Sequence, residues 1–420
     1  MTAGLDHELV RHDLTNGMQL AIAPVPTAPG VGINIWFEVG SYDEQPGLTG
    51  LAHLFEHLMF SGSAQVGASE HMATIERLGG TVNATTSTDR TNYFETVPTG
   101  ALELALWLEA ERMGSLSLTH ETFTAQRAVV KEEKRQRYDN QPFGDALELL
   151  VAQHFPTQHP YGHLPIGSMA DLDRAELADV QAFFGRWYAP SNARMVITGA
   201  VAPDAAIELV ERHFGDLAER PHPGHDQANT DLLEPRHTTV TRPVPYDLLY
   251  ATWPVPAVSS PHWVAVELAL RVLADGQTSR LHKRLVRETG LAREVHASLL
   301  PHLRASSIAA LVLRPRDRAA VPPTLDAVAD EIHALAVAGP TDDQLSRVKA
   351  TYERELLTEL STLEGRADAL NDAWLTLGSP SRLSDRLAEL AATSAEDVAS
   401  AAGDLDAVPS VLSYEMEDPA

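Results

Sequence analysis

The segment His53-Leu54-Phe55-Glu56-His57 carries the side chains of this chain best placed to do chemistry together. On a helix, residues three and four apart share one face, with Cβ atoms about 5–6 Å apart. His53 and His57 can then grip one ion, and Glu56 on the same face is placed to take a proton from a water that the ion activates. Two imidazoles and a carboxylate suit a catalytic zinc, which takes three protein ligands and leaves a position for water. The order His-x-x-Glu-His is the inverted form of the zinc-peptidase signature. Paired histidines also occur on helices that bind nothing, so the third ligand matters. Candidates lie in Val129-Val-Lys-Glu-Glu-Lys134, where the fold could bring Glu132 or Glu133 to the pair. Adjacent acids otherwise end on a solvated helix face.

The elements that must position these groups are legible from hydrophobic periodicity. Residues 18–25 and 31–39 are β-rich and partly alternating, as strands are. Residues 48–60 have helical spacing, with Leu51, Leu54, Phe55, Leu58 and Met59 available for a buried face. Residues 72–78 form a second helix closed by Gly79-Gly80, and 81–87 with 92–97 form a hairpin-like pair of strands. An amphipathic run at 102–113 leads to Thr119, an N-cap with an acid in its first turn and a long helix beyond it. The second half echoes this order. Residues 325–338 lead to Thr341-Asp-Asp, residues 387–398 resemble 169–180, and a strand-like segment follows each of the last two (409–414 and 193–199). The echo implies an internal duplication. The expected class is therefore α+β: two homologous sandwich domains of mostly antiparallel sheet flanked by helices. The first spans 1–218 and the second 236–420. The Pro-, His- and Asp-rich stretch 219–235 reads as a linker whose histidines are solvated. His159 and His163 also stand four apart, but Pro160 and Gly162 between them dictate a loop.

Composition bounds the partners. Lys and Arg number 32 against 58 Asp and Glu, a net charge of −26, which disfavours nucleic acid and anionic lipid. That charge serves solubility, and around a site it would favour cationic substrates. No apolar run approaches the length of a membrane span. The start of the sequence lacks a leader pattern, so cytoplasmic location is the default expectation. Cysteine is absent, which excludes disulfides and thiolate chemistry without deciding the compartment.

Beyond the five-residue motif, Gly40-Ser-Tyr-Asp-Glu-Gln-Pro-Gly-Leu-Thr-Gly-Leu-Ala-His-Leu-Phe-Glu-His-Leu-Met-Phe-Ser-Gly-Ser63 resembles the active-site segment of the pitrilysin-type metallopeptidases. That group includes mitochondrial processing peptidase and insulin-degrading enzyme. Further similar segments are Gly79-Gly-Thr-Val-Asn-Ala-Thr-Thr with Thr91-Asn-Tyr-Phe, His159-Pro-Tyr-Gly162, Trp187-Tyr-Ala-Pro-Ser-Asn192, Ser279-Arg-Leu-His-Lys-Arg-Leu and Gly290-Leu-Ala. They appear in the family's order across nearly the whole chain.

The resemblance implies half of a clamshell and one Zn2+ per chain. It also implies a third ligand in the first-half long helix, at a separation from His57 that suits Glu133, with Glu132 the runner-up. Glu56 is then the acid that activates water, and a peptide or unfolded segment is the substrate. Asn83 and Ala84 would lie on an edge strand that an extended peptide joins by backbone pairing, and Phe60 would line the cleft beside the metal. Two departures stand out. Two turns before Glu133, where the family commonly has a supporting glutamate, this chain has Gln126, which can orient a ligand but adds no charge. Around Gly290-Leu-Ala, where self-sufficient members carry an Arg and a Tyr, the aligned residues are Val286 and Arg293. This implies a heterodimer in which a related subunit supplies the Arg/Tyr pair, a homodimer being the weaker expectation. The competing reading is a non-catalytic scaffold or peptide-binding subunit of the same fold.

Overall fold

A computed structural model describes residues 9–222, 224–225 and 230–417. In the first half the chain runs β1 (Val10–Asp13), β2 (Gln19–Pro24), β3 (Val31–Phe37), α1 (Leu51–Leu58), α2 (Glu70–Arg77), β4 (Thr81–Thr86), β5 (Thr91–Val97), α3 (Leu102–Ser115), α4 (His120–Lys134), α5 (Ala146–His154), α6 (Met169–Arg174), α7 (Leu177–Trp187), β6 (Ala193–Gly199) and α8 (Pro203–Phe214). The second half runs β7 (His237–Arg242), β8 (Leu248–Val255), α9 (Trp263–Ala274), β9 (Ala292–Leu300), β10 (Ser307–Pro315), α10 (Val321–Ala338), α11 (Asp342–Glu359), α12 (Leu363–Leu377), α13 (Leu383–Ala392), α14 (Ala395–Leu405) and β11 (Ser410–Met416). The α+β class and the element order match the expectation from periodicity.

The first sheet has the order β1-β2-β6-β3-β5-β4 and the second β7-β11-β8-β10-β9. Apart from β1, the two are the same figure. In each, the first and last strands of the repeat pair in parallel, and every other pairing is antiparallel. The strands at 31–37 and 248–255 take the same central place, and each is followed by a helix, α1 in one case and α9 in the other.

Two compact units result, and they are not simply the two consecutive halves. The first comprises the described residues within Met1–Arg135, His163–Gln227 and Leu357–Ser384; the second takes those within Gln136–Gly162, Ala228–Leu356 and Asp385–Ala420. Each half of the sequence thus lends one helix to the other's sheet: α12 packs on β3 and β6, and α5 packs on β11. The boundaries 1–218 and 236–420 do not include this exchange.

In the first unit, β3 is buried along its whole length, Val31-Gly-Ile-Asn-Ile-Trp-Phe37. A strand covered on both faces reads as continuously apolar. One face meets α12, where Thr198 Oγ1 donates to Leu363 O at 3.0 Å and Asn371 Nδ2 to Asn34 O at 3.0 Å. On the other face Phe37 packs against Tyr188 at 4.6 Å between ring centroids, and Phe55 of α1 meets Tyr188 at 4.2 Å. In the second unit, α9, α10 and α14 bury a large aliphatic core against β8, β10 and β11.

Part of the expected linker, residues 223 and 226–229, lies outside the described residues. His225 departs from the solvated loop expected there. Its ring stacks on Trp187 at 5.3 Å, its Nδ1 lies 2.8 Å from Asp43 Oδ1, and its side chain is 12% exposed. The apolar face of an imidazole finds a larger aromatic surface, and its nitrogens find carboxylates. His159 and His163 lie in the expected loop.

Candidate metal centre

Helix α1 buries Leu51, Ala52, Leu54, Phe55 and Leu58 and turns His53, Glu56 and His57 to its partly open face. That split follows from the 3.6-residue repeat, since the positions 53, 56 and 57 form one stripe. Glu133 comes from α4, which packs against α1. Thr119 caps α4, its hydroxyl accepting from Thr122 N at 3.2 Å while Thr122 Oγ1 accepts from Thr119 N at 3.1 Å. Phe123 and Val130 are buried on α4, and Gln126, Val130 and Glu133 follow one another at helical spacing.

The three expected ligands converge. Glu133 Oε2 lies 3.3 Å from His57 Nε2 and 3.7 Å from His53 Nε2. The imidazoles meet edge to face, with centroids 4.9 Å apart and planes at 79°. Ligands about 2.0–2.1 Å from a tetrahedral zinc stand roughly 3.3 Å from one another. The donor set fits a zinc ion in type and in spacing. The side chains are 13%, 22% and 17% exposed for His53, His57 and Glu133, so water reaches the cluster. Glu132 points elsewhere, pairing with Arg135 at 3.2 Å and remaining 53% exposed.

Glu56 accepts a hydrogen bond from Thr86 Oγ1 at 2.5 Å, which sets it beside β4. β4 is the edge of the first sheet. Asn83 on it is exposed and Ala84 buried, and Asn83 Oδ1 accepts from Ala84 N at 2.9 Å. Phe60 is half-buried, edge-on to His71 and Tyr93 at 5.9 Å each, with the Arg112 guanidinium 4.8 Å from its ring. Of the Gly290 region, Val286 is half-buried and Arg293 is exposed on β9.

Sequence reasoning missed two features. The first is a buried cluster behind Phe60: His71 bonds Glu95 and lies 3.7 Å from Glu109, which Arg112 grips through Nε at 3.0 Å. Burial pushes the Glu95 and Glu109 carboxyls up to about 7 and the His71 imidazole down to about 4. With a hydrogen-bonded contact inside it and a guanidinium already present, this group suits a shared proton rather than a metal. Its members are scattered over α2, β5 and α3, and no short spacing announces them. The second is Glu44, which holds the start of α1 through Gly50 N at 2.9 Å and Ala52 N at 2.7 Å. Burial pushes its carboxyl up, and a bond to His163 opposes that shift. A buried acid in the loop before a helix has no periodic signature.

The second unit has a different pairing at the corresponding position. By its distance from the capping Thr341, Glu355 on α11 corresponds to Glu133 on α4. Arg271 of α9 meets Glu355 at 2.8 Å, and Tyr352 donates to Glu267 of α9 at 3.1 Å. A guanidinium there satisfies the acid that in the first unit faces two imidazoles.

The family profile described as Insulinase (Peptidase family M16) matches residues 20–163, and that described as Peptidase M16 inactive domain matches residues 174–352. The chain belongs to peptidase family M16. Among relatives of this M16 chain, zinc protease PqqE of Helicobacter pylori is 35% identical over 301 residues, 69% of this chain and 65% of that protein's length. An uncharacterized zinc protease of Mycobacterium tuberculosis is 25% identical over 394 residues, covering 92% of this chain and 88% of the relative. The crystal structure of a protease from Helicobacter pylori superposes with a TM-score of 0.88 at 26% identity, covering 98% of this chain and 99% of that one. A structure described as the M16 inactive domain from Pseudomonas fluorescens shares the fold, with a TM-score of 0.84, 18% identity and coverage of 97% and 98%. Among the described residues no helix is long and apolar enough to cross a membrane.

Proposed function

We propose that this M16 chain is the zinc-bearing subunit of an endopeptidase that hydrolyses peptides or unfolded segments. The observation that carries the reading is the convergence of His53, His57 and Glu133 at donor spacings of 3.3 and 3.7 Å, with a second acid, Glu56, on the helix of the two histidines. These three residues would hold one Zn2+, which when bound supplies a Lewis acid and brings the pKa of water toward about 7. Glu56 takes the proton of the attacking water and returns it to the leaving amine. Thr86 orients that carboxylate from the edge strand. A peptide adding to β4 near Asn83 and Ala84 would lie extended past Glu56, because backbone pairing runs along the strand. Such binding selects segments free to extend, and it must displace Asn83 Oδ1 from Ala84 N. Phe60 packs against Tyr93 of the neighbouring strand β5, and Gln126, two turns before Glu133 on α4, is the proposed support of that ligand. The aligned Val286 and Arg293 leave the chain without the family's Arg/Tyr pair, so a related subunit supplies the groups that clamp the substrate and stabilise the oxyanion.

The scaffold reading draws on the profile described as an inactive domain. That profile covers residues 174–352 and contains none of His53, Glu56, His57 or Glu133. The test is Glu56→Gln on purified protein, alone and with a co-encoded relative, against a mixed peptide library. Zinc is retained at one equivalent while kcat falls roughly 10²–10⁴-fold. Undiminished cleavage by the variant would remove Glu56 from the mechanism, and strong cleavage by the lone chain would remove the partner.

A further inference from the structure

The helix that carries His53, Glu56 and His57 is barely two turns long and has no cap of its own. Gly50, at its N-cap, has no side chain and is left-handed at φ 94°. The leading N–H groups of a helix must find acceptors elsewhere. Glu44 provides them, its Oε2 accepting from Gly50 N at 2.9 Å and its Oε1 from Ala52 N at 2.7 Å. Ala52 adjoins His53, so this bond fixes the backbone immediately before the first expected ligand. The Glu44 side chain is wholly buried, and His163 Nε2 stands 2.8 Å from Oε2. A second carboxylate steadies the same turn, Asp171 Oδ2 accepting from Thr49 N at 3.2 Å and Thr49 Oγ1 at 2.7 Å. The segment after His163 closes over it: a Cβ on Gly167 would lie 2.4 Å from Gly50 Cα.

We propose that Glu44, oriented by His163, is a positioning residue of the peptidase site, setting the rotation at which α1 presents His53, Glu56 and His57 to Glu133 and the β4 edge. The proposal rests on the zinc-peptidase reading above. A negative charge at the start of α1 also complements the helix dipole, and a carboxylate reaching two N–H groups does so in one geometry. A helix this short, anchored at one end by two bonds, turns as a rigid piece if they are lost. All three active side chains then move together, and the loss falls on metal affinity and turnover rather than on substrate binding.

The experiment measures zinc affinity by chelator competition on full-length Glu44→Ala, Glu44→Gln and His163→Ala beside wild type, with kcat and KM taken in the presence of the co-encoded related subunit. The expected result for Glu44→Ala is a zinc affinity weakened about 10–100-fold, as when other supports of metal ligands are removed. Its kcat falls at least as far, and its KM stays within about twofold. Glu44→Gln, which keeps one carbonyl acceptor, recovers part of both losses, and His163→Ala falls between. Wild-type zinc affinity and kcat in Glu44→Ala, with only a lowered Tm, would overturn the proposal by making Glu44 a purely structural residue. If Glu44→Ala fails to fold, wild-type values in both remaining variants overturn it equally. Wild-type protein that holds no zinc would sink the metal reading itself and this proposal with it; zinc-loaded wild type beside unaffected variants would sink only the role of Glu44.

Discussion

Glu132 and Glu133 are neighbours in sequence, yet one meets an exposed arginine and the other two imidazoles. Glu133→Gln removes the negative charge from the cluster and is expected to weaken zinc retention at least about tenfold and to abolish cleavage. Glu132→Gln leaves both unchanged, and dialysis against a chelator followed by metal analysis separates the two. Equal losses in both variants would mean that the acids share the ion. Glu355 is the counterpart test. It is 45% exposed and bound to Arg271, so Glu355→Gln is expected to cost less than about 1 kcal/mol. It leaves zinc content at one per chain. A fall in bound zinc on that substitution would place metal in the second unit.

The exchanged helices have a consequence for the elements around the site. α12 covers one face of β3 and β6, and its Asp368 accepts from Asn34 Nδ2 at 3.0 Å and Asn92 Nδ2 at 3.2 Å. A fragment ending at residue 218 would therefore expose the face that carries Trp36 and Asn34. It is expected to bind a hydrophobic dye and to unfold without cooperativity, whereas a cooperative transition would show that the first half needs no helix from the second. This exchange was not legible in the sequence. Leu363–Leu377 has an ordinary helical pattern, and nothing in its residues says which sheet it covers. The repeat itself was legible, because Thr119 and Thr341 cap matching helices and the strands follow in matching order. The site was legible where ligands share one helical turn, in His53 and His57, and less so for Glu133, whose arrival depends on α4 packing on α1. Glu44 and the His71 cluster escaped because burial and long-range contact give them their roles. His225 was misjudged because Trp187 supplies a surface that the linker's own composition does not reveal.

For the molecule as a whole, buried histidines tie folding to pH. Burial, with Arg236 and His302 nearby, pushes His154 down to about 4. Between its ordinary 6.5 and that value the unfolded chain holds a proton that the native chain does not, so stability is lost as pH falls through this window. His71 acts in the same direction. Glu95 and Glu109, pushed up to about 7, act oppositely, contributing stability that is lost as pH rises from 4.5 toward 7. Replacing His154 with Gln is expected to flatten the decline between pH 6.5 and 4 by up to about 1.4 kcal/mol per pH unit. Urea midpoints across that range test it, and identical slopes for variant and wild type would show that His154 titrates normally in the fold.

The peptidase reading depends on a single ion between α1 and α4. Anomalous scattering at the zinc absorption edge, from crystals of the full chain grown with zinc, addresses it directly. One strong peak per chain within bonding distance of His53, His57 and Glu133 is the predicted result. A map without a peak there, or with its only peak elsewhere, would contradict the account.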